Sequence, residues 1–287
     1  MTDSLAAIES ADTTALAGTV TKTFFNPAHT SSFMTLSNTN LTATLAGPPP
    51  ASGILAALEA ADTASMTDVV VSAGFTLVAH TNTHKENGPV TTGSINTTGA
   101  NLLVVAVTQY RSGIDIGNLS DSKGNTWIGL TAQTASTELY VRLYYCASPS
   151  VGSAHTFSYS NGAGNTIYGG IAVQAWNGAN ASPFVAENGD GHLAGGHGSI
   201  QPGAVTPAQN HSLIITVCGP KIFAAPDITI DGGYIVSDGN AGDDVGNGIA
   251  EPIYMAYLLQ ATAAATNPTW SWTGATAAGA VIAVFKP

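Results

Sequence analysis

Gly99-Ala100-Asn101-Leu102-Leu103-Val104-Val105-Ala106-Val107-Thr108 is an aliphatic, β-branched run whose counterpart returns later as Asn210-His211-Ser212-Leu213-Ile214-Ile215-Thr216-Val217-Cys218. Short apolar runs bounded by turn residues are the signature of buried strands. The elements that follow each copy also match. Leu139-Tyr140-Val141-Arg142-Leu143-Tyr144-Tyr145-Cys146 corresponds to Ile253-Tyr254-Met255-Ala256-Tyr257-Leu258-Leu259. His155-Thr156-Phe157-Ser158-Tyr159 corresponds to Pro268-Thr269-Trp270-Ser271-Trp272, and Gly170–Trp176 to Ala280–Phe285. The same order twice predicts an all-β chain with an internal duplication, about 100–178 and 211–286. We expect a jelly-roll or Greek-key β-sandwich in which each half contributes four core strands to a set of eight.

Composition limits what such a domain does. Charged residues are 9% of the 287, against roughly 25% in an ordinary soluble domain. With 44% hydrophobic residues the chain has the means to fold. A net charge of −11, from 18 acids and 7 bases, argues against nucleic acid or an anionic membrane as partner, because both require clustered Lys and Arg. The N-terminal Met1-Thr2-Asp3-Ser4-Leu5-Ala6-Ala7-Ile8-Glu9 lacks the basic and apolar regions of a secretory signal. No run reaches the roughly 18 apolar residues of a membrane helix. Cys146 and Cys218 stand at the ends of apolar strands, where buried free thiols are expected in preference to a disulfide.

Residues 1–67 read as a separate module ahead of a β domain at 68–287. Leu5-Ala6-Ala7-Ile8-Glu9-Ser10-Ala11-Asp12-Thr13 recurs as Leu55-Ala56-Ala57-Leu58-Glu59-Ala60-Ala61-Asp62-Thr63. Propensity favours a short helical turn in the Ala/Leu/Glu part and extended chain after the Asp-Thr. Between the copies, Leu36-Ser37-Asn38-Thr39-Asn40-Leu41-Thr42-Ala43-Thr44 reads as a strand, and Gly47-Pro48-Pro49-Pro50 as a stiff spacer. From Asp68 onward the pattern is β. His80, His84, Lys85 and Glu86 read as a polar loop, and Ser120–Trp127 as a tight Lys-Gly-Asn turn leading into a strand.

Two stretches concentrate residues able to bind a metal. Glu187–Gly198 holds Asp190, His192 and His197 in Gly-rich sequence, a spacing that fits no structural zinc pattern and reads better as a mobile loop. Ser237–Asn247 gathers Asp238, Asn240, Asp243 and Asp244, the oxygen ligands a hard cation such as Ca²⁺ takes. These four are the candidate metal residues, weighed against a solvated acidic turn. No other cofactor is implied. No Gly-x-Ser-x-Gly elbow, phosphate loop or dinucleotide fingerprint is present. Glu138 and Glu251 precede equivalent strands, which points to shared turn geometry rather than an active site. The alternating aromatics Phe157/Tyr159 and Trp270/Trp272 are expected to be sandwich core rather than a ligand platform.

The Leu-Ala-Ala-x-Glu-x-x-Asp-Thr units resemble short tandem segments of phage virion proteins, and the Asn26-Pro27-Ala28-His29 stretch with the strand after it resembles the opening of SPRY-type sandwiches found there. The β region, with Leu102–Val107, Asp121-Ser122-Lys123-Gly124-Asn125-Thr126-Trp127 and Ile171–Trp176 followed by Asn177-Gly178-Ala179, is similar to domains of phage and prophage structural proteins. The resemblance implies a non-enzymatic virion surface protein, a head decoration or fibre or a tail-associated protein. It would be made in the host cytoplasm, docked on other capsid or tail proteins through residues 1–67, and assembled as a homo-oligomer. The alternative it leaves open is a carbohydrate-binding adhesin for a host-surface glycan.

Overall fold

The computed structural model describes the backbone of three strands near the N-terminus. It also describes residues 74–287 other than 87, 111–117, 136–138, 161–167, 193–196, 222–227 and 241–251. The chain divides into two compact units, Met1–Val70 and Val71–Pro287. In the first, β1 (Thr23–Phe25), β2 (Phe33–Ser37) and β3 (Thr42–Ala46) form an antiparallel sheet in that order. The strand expected at 36–44 thus takes in the end of β2 and the start of β3, which are antiparallel partners: Phe33 pairs with Ala46 and Ser37 with Thr42. The Ala-rich repeats and the Pro-rich spacer lie outside the described residues.

The second unit is all-β, and it is a sandwich built twice. Its first half contains β4 (Thr76–Glu86), β5 (Val90–Thr91), β6 (Leu102–Tyr110), β7 (Asn118–Asp121), β8 (Ile128–Gly129), β9 (Gln133–Thr134), β10 (Leu139–Ala147), β11 (Phe157–Ser160) and β12 (Tyr168–Asn177). The second contains β13 (Phe184–His192), β14 (Ser199–Ile200), β15 (Ser212–Pro220), β16 (Thr229–Ile230), β17 (Ile235–Asn240), β18 (Ile253–Gln260), β19 (Trp270–Ser271) and β20 (Ala278–Phe285). The large sheets run β4-β12-β6-β10-β8 and β13-β20-β15-β18-β17; the small ones run β5-β11-β7 and β14-β19-β16. Apart from the short β9, the two orders correspond strand for strand. Each is a jelly roll whose fifth strand has joined the edge of the larger sheet.

Each half therefore completes a sandwich of its own instead of supplying half of one, and the repeat begins at β4 and β13, well before 100 and 211. Those two first strands escape an apolar-run search because both lie at sheet edges and carry polar residues. His80–Glu86 belongs to β4, paired with β12 from Thr76 to Glu86, and Glu187–His192 belongs to β13, paired with β20. Neither stretch is the loop its composition indicates, since ladder hydrogen bonding holds edge residues that packing alone would not.

The two large sheets stack on each other, giving four layers. Leu102, Val104, Ala106, Leu213, Ile215 and Val217 meet in the central core, while Leu103, Val105 and Val107 face one small sheet and Ile214 and Cys218 the other. An antiparallel strand with one wet face alternates apolar and polar residues. Here both faces are covered, so β6 and β15 read as unbroken apolar runs. Each fully buried Leu, Ile or Val contributes about 1.5–3 kcal/mol.

Across the central core β4 lies over β17, β12 over β18, β10 over β20 and β9 over β13. Exchanging the halves maps these contacts onto themselves, so the halves are related by a pseudo-two-fold axis between β6 and β15. The axis runs along the strands, because equivalent ends meet: Lys221 Nζ, just past β15, donates to Tyr110 Oη at the end of β6, 2.9 Å away. Packing is graded along this axis. Trp176, Tyr257, Tyr145, Phe184 and Phe285 form edge and stacked ring contacts at one end. Gly170, Gly219 and Gly279 stand at the other, where an added Cβ would come within 2.6–2.9 Å of Thr108, Val141 or Ile253.

Candidate functional site

The common strand direction sends corresponding connections of both halves to one end. There β4, β6, β9 and β11 end and β5, β7, β10 and β12 begin in the first half, as β13, β15, β17 and β19 end and β14, β16, β18 and β20 begin in the second. We call this end the tip. At the opposite end, the base, the chain enters β4, crosses between halves through Gly178–Pro183, and leaves at Pro287. The crossing is held in place: Asn101 brackets Ala179 with a donated and an accepted bond of 2.8 and 3.0 Å, and Lys286 N donates to Pro183 O. The Asn177-Gly178-Ala179 signature is this link, with Gly178 at φ 100°.

The Asp121–Trp127 motif builds a turn at the base around one carboxylate. Asp121 accepts from Lys123 N at 2.8 Å, Trp127 Nε1 at 2.9 Å and Asn125 Nδ2 at 3.2 Å, and His155 Nε2 lies 3.0 Å away. Thr97 Oγ1 is 2.9 Å from His155 Nδ1, completing a Thr-His-Asp chain. The chain has the residue types of a hydrolytic triad without its access, since Thr97 and His155 are fully buried. A carboxylate only accepts, so Nε2 carries the proton and the chain fixes the turn. Burial raises the Asp121 pKa, but the bonds from His155, Lys123, Trp127 and Asn125 outweigh it and hold the carboxyl below its usual value. At the matching turn of the second half, the Asp231 side chain accepts, among the described residues, only from Thr269 N, 2.7 Å away.

The candidate metal residues divide. Asp238 sits in β17 facing β4, buried, with His80 Nδ1 3.0 Å and Asn82 Nδ2 3.1 Å from Oδ1 and Ser237 Oγ donating to Oδ2 at 2.8 Å. Gln174 continues the network to Ser237 at 2.6 Å. Asn240 ends the same strand, paired in register with Ile253. Asp243 and Asp244, like Glu138 and Glu251, lie outside the described residues. Among the described residues no three His, Cys, Asp or Glu side chains group to hold a metal ion. What the structure gives Asp238 is a clasp between the halves. The other side of the pseudo-axis has its counterpart, with Glu187 accepting from Thr131 N and Oγ1 at 2.9 and 3.0 Å. Asp238→Asn is expected to cost about 1–2 kcal/mol through weakened charge-assisted bonds, measurable by urea unfolding; an unchanged midpoint would refute the clasp.

The histidines of β13–β14 meet at the tip. His192 and His197 have ring centroids 4.2 Å apart, and the Trp272 ring lies nearly parallel to His192, 6.5 Å away. Burial first, and then His197, lower the His192 pKa, while Asp190 opposes them. Neither His192 Nε2 nor Trp272 Nε1 has a hydrogen-bond partner among the described residues, although both atoms are buried. The composition of Glu187–Gly198 pointed to this cluster; Trp272 it did not, because its place opposite β13 depends on tertiary structure.

The alternating aromatics are core, as the alternation indicated: Phe157, Tyr159 and Trp270 are fully buried, and Trp272 packs in the buried core of the second half. Cys146 and Cys218 are free thiols in different layers, the first in the outer core of one half and the second in that of the other. Burial raises the pKa of both. Among the described residues no helix is long and apolar enough to cross a membrane. Neither a scan against protein-family models nor searches of curated proteins and solved structures found a match to this chain.

Proposed function

We propose that the chain is a non-enzymatic surface protein of a phage virion, a head decoration or fibre or a tail-associated protein. Residues 1–67 dock on capsid or tail proteins, and the double sandwich projects away from them as a homo-oligomer. The observation that carries this reading is the polarity of the second unit: the chain enters it at the base, and one set of corresponding strand ends from both halves is presented at the tip. A stem entered at one end and carrying strand connections of both halves at the other suits display. Jelly rolls also serve both capsid and lectin proteins, an analogy of fold alone.

The residue chain most like a catalytic triad is sealed in the base, which favours a structural role for it. On particles carrying the protein, deletion of residues 1–67 is expected to abolish attachment while the remaining chain stays folded by circular dichroism. Full occupancy by the truncated protein would overturn the docking. The second reading, a glycan-binding adhesin, gains no support from the aromatic stripe, whose rings are in the core. It is favoured by one observation, that His192 Nε2 and Trp272 Nε1 at the tip of the second half have no hydrogen-bond partner among the described residues.

A further inference from the structure

We propose that the two flanks of the double sandwich form one heterologous contact between copies of this chain, the flank holding Ile128 in one copy meeting the flank holding Ile235 in the next. The proposal rests on the reading of the chain as a homo-oligomer and deepens it by naming the surface through which copies join.

Among the described residues the exposed large apolar side chains are Ile128, Ile235, Val236 and Leu259. The duplication shows how they are placed. Ile128, in the edge strand β8, pairs with Tyr145, which pairs with Val104 of β6. Ile235, in the edge strand β17, pairs with Tyr257, which pairs with Ile215 of β15. Val104 and Ile215 are one position of the repeat, each two residues past the Leu that pairs with Trp176 or Phe285. Ile128 and Ile235 are therefore counterparts, and they are 50% and 55% exposed. Cross-strand partners share a face of the sheet, so both point toward the central core, as Tyr145 and Tyr257 do. A lone exposed Ile is ordinary. The same one left open at the same place in both halves marks two matching corners at the base.

What covers these corners follows from the pseudo-axis. It runs along the strands, so it turns one flank into the other without changing height. A neighbour standing alongside with its tip in the same direction brings its Ile128 level with Ile235 of this copy. Each copy then gives one flank and receives the other, and both corners are covered by a single kind of contact. The flanks are also unlike. Leu259 stands where the first half has Ala147, beside an apolar recess of about 260 Å³ that Phe75 and His211 help to line. The β8 flank includes β13, which exposes Glu187 and Asp190; the β17 flank includes β4, which exposes His80 and Lys85. Joining two β8 flanks would set acids against acids, and joining unlike flanks avoids it.

The test is the mass of the full chain in solution, by sedimentation velocity. The parent is expected to be oligomeric, and Ile128→Lys and Ile235→Lys are each expected to sediment as monomers at the same concentration. Their circular dichroism should match the parent's, because both side chains lie at the surface. An equimolar mixture of the two variants gives the sharper result. The first keeps its β17 flank and the second its β8 flank, so the mixture should form one-to-one dimers and stop there, each free flank carrying a lysine. A mixture that stays monomeric would overturn the proposal. A parent that is monomeric at every concentration would overturn it together with the homo-oligomer on which it rests. Either variant keeping the parent's mass would overturn it and leave the homo-oligomer standing. Docking through residues 1–67 is measured separately, on particles.

Discussion

Asp121→Ala is expected to cost the second unit at least about 4 kcal/mol, because each buried donor left unpaired costs about 1–3 kcal/mol. The donors are Trp127 Nε1, Asn125 Nδ2, Lys123 N and His155 Nε2, and His155 and the Asp121 side chain have no exposed surface. Asp231→Ala, at the equivalent turn, removes a single backbone bond and is expected to cost about 1 kcal/mol. Urea unfolding of the two variants gives the comparison; equal losses would mean that the Asp121 network does not hold its turn. The same carboxylate makes a pH prediction. Its folded pKa lies below the unfolded value of about 3.9. It therefore contributes stability that is complete above that value and is lost as pH falls through the folded pKa. The acid-side decline of stability should be shallower in Asp121→Asn than in the parent.

Gly219→Val addresses the central core and is expected to cost about 3 kcal/mol by overpacking. A Cβ at Gly219 would stand 2.6 Å from Thr108 Cγ2 and 3.0 Å from Val141 Cγ2, so the large sheets would have to part at the tip. Thr108→Ser removes the nearer methyl and keeps the hydroxyl that accepts from Gly170 N at 3.2 Å. Adding it should recover part of the loss in the Gly219→Ala background, where only one carbon must be housed. A double-mutant cycle with purely additive costs would show that the two residues do not meet.

How much of this was legible follows from what each strand buries. β6 and β15 announce themselves because both faces are covered, and β10, β11 and β12 find their repeats because the same core position asks twice for an aromatic or a branched aliphatic. The same unbroken run also meant something that was not drawn from it: a strand with two dry faces needs a layer on either side. Hence one sandwich was expected where there are two. β4 and β13 stayed hidden because edge strands tolerate His, Asn, Asp and Lys, and β5, β7, β14 and β16 are too short to show a period. The Asp121–Trp127 motif was visible as a turn, but its reason, one carboxylate serving donors as distant in sequence as His155, is a tertiary fact. Of the tip site the two histidines could be picked out by composition. Trp272 could not, since its neighbour in space lies a whole domain-half away in sequence.

The link at Gly178–Pro183 turns what would be a dimer into one chain, and association into an intramolecular step independent of protein concentration. A dimer of identical subunits must carry every change twice, on both sides of its axis. Joined end to end, the halves are released from that bookkeeping. Gln109 with Tyr159 persists in one while Pro220 with Trp272 stands in the other, so a single tip offers two unequal faces at a fixed spacing. Variation at one leaves the other, and the joint between them, as they were.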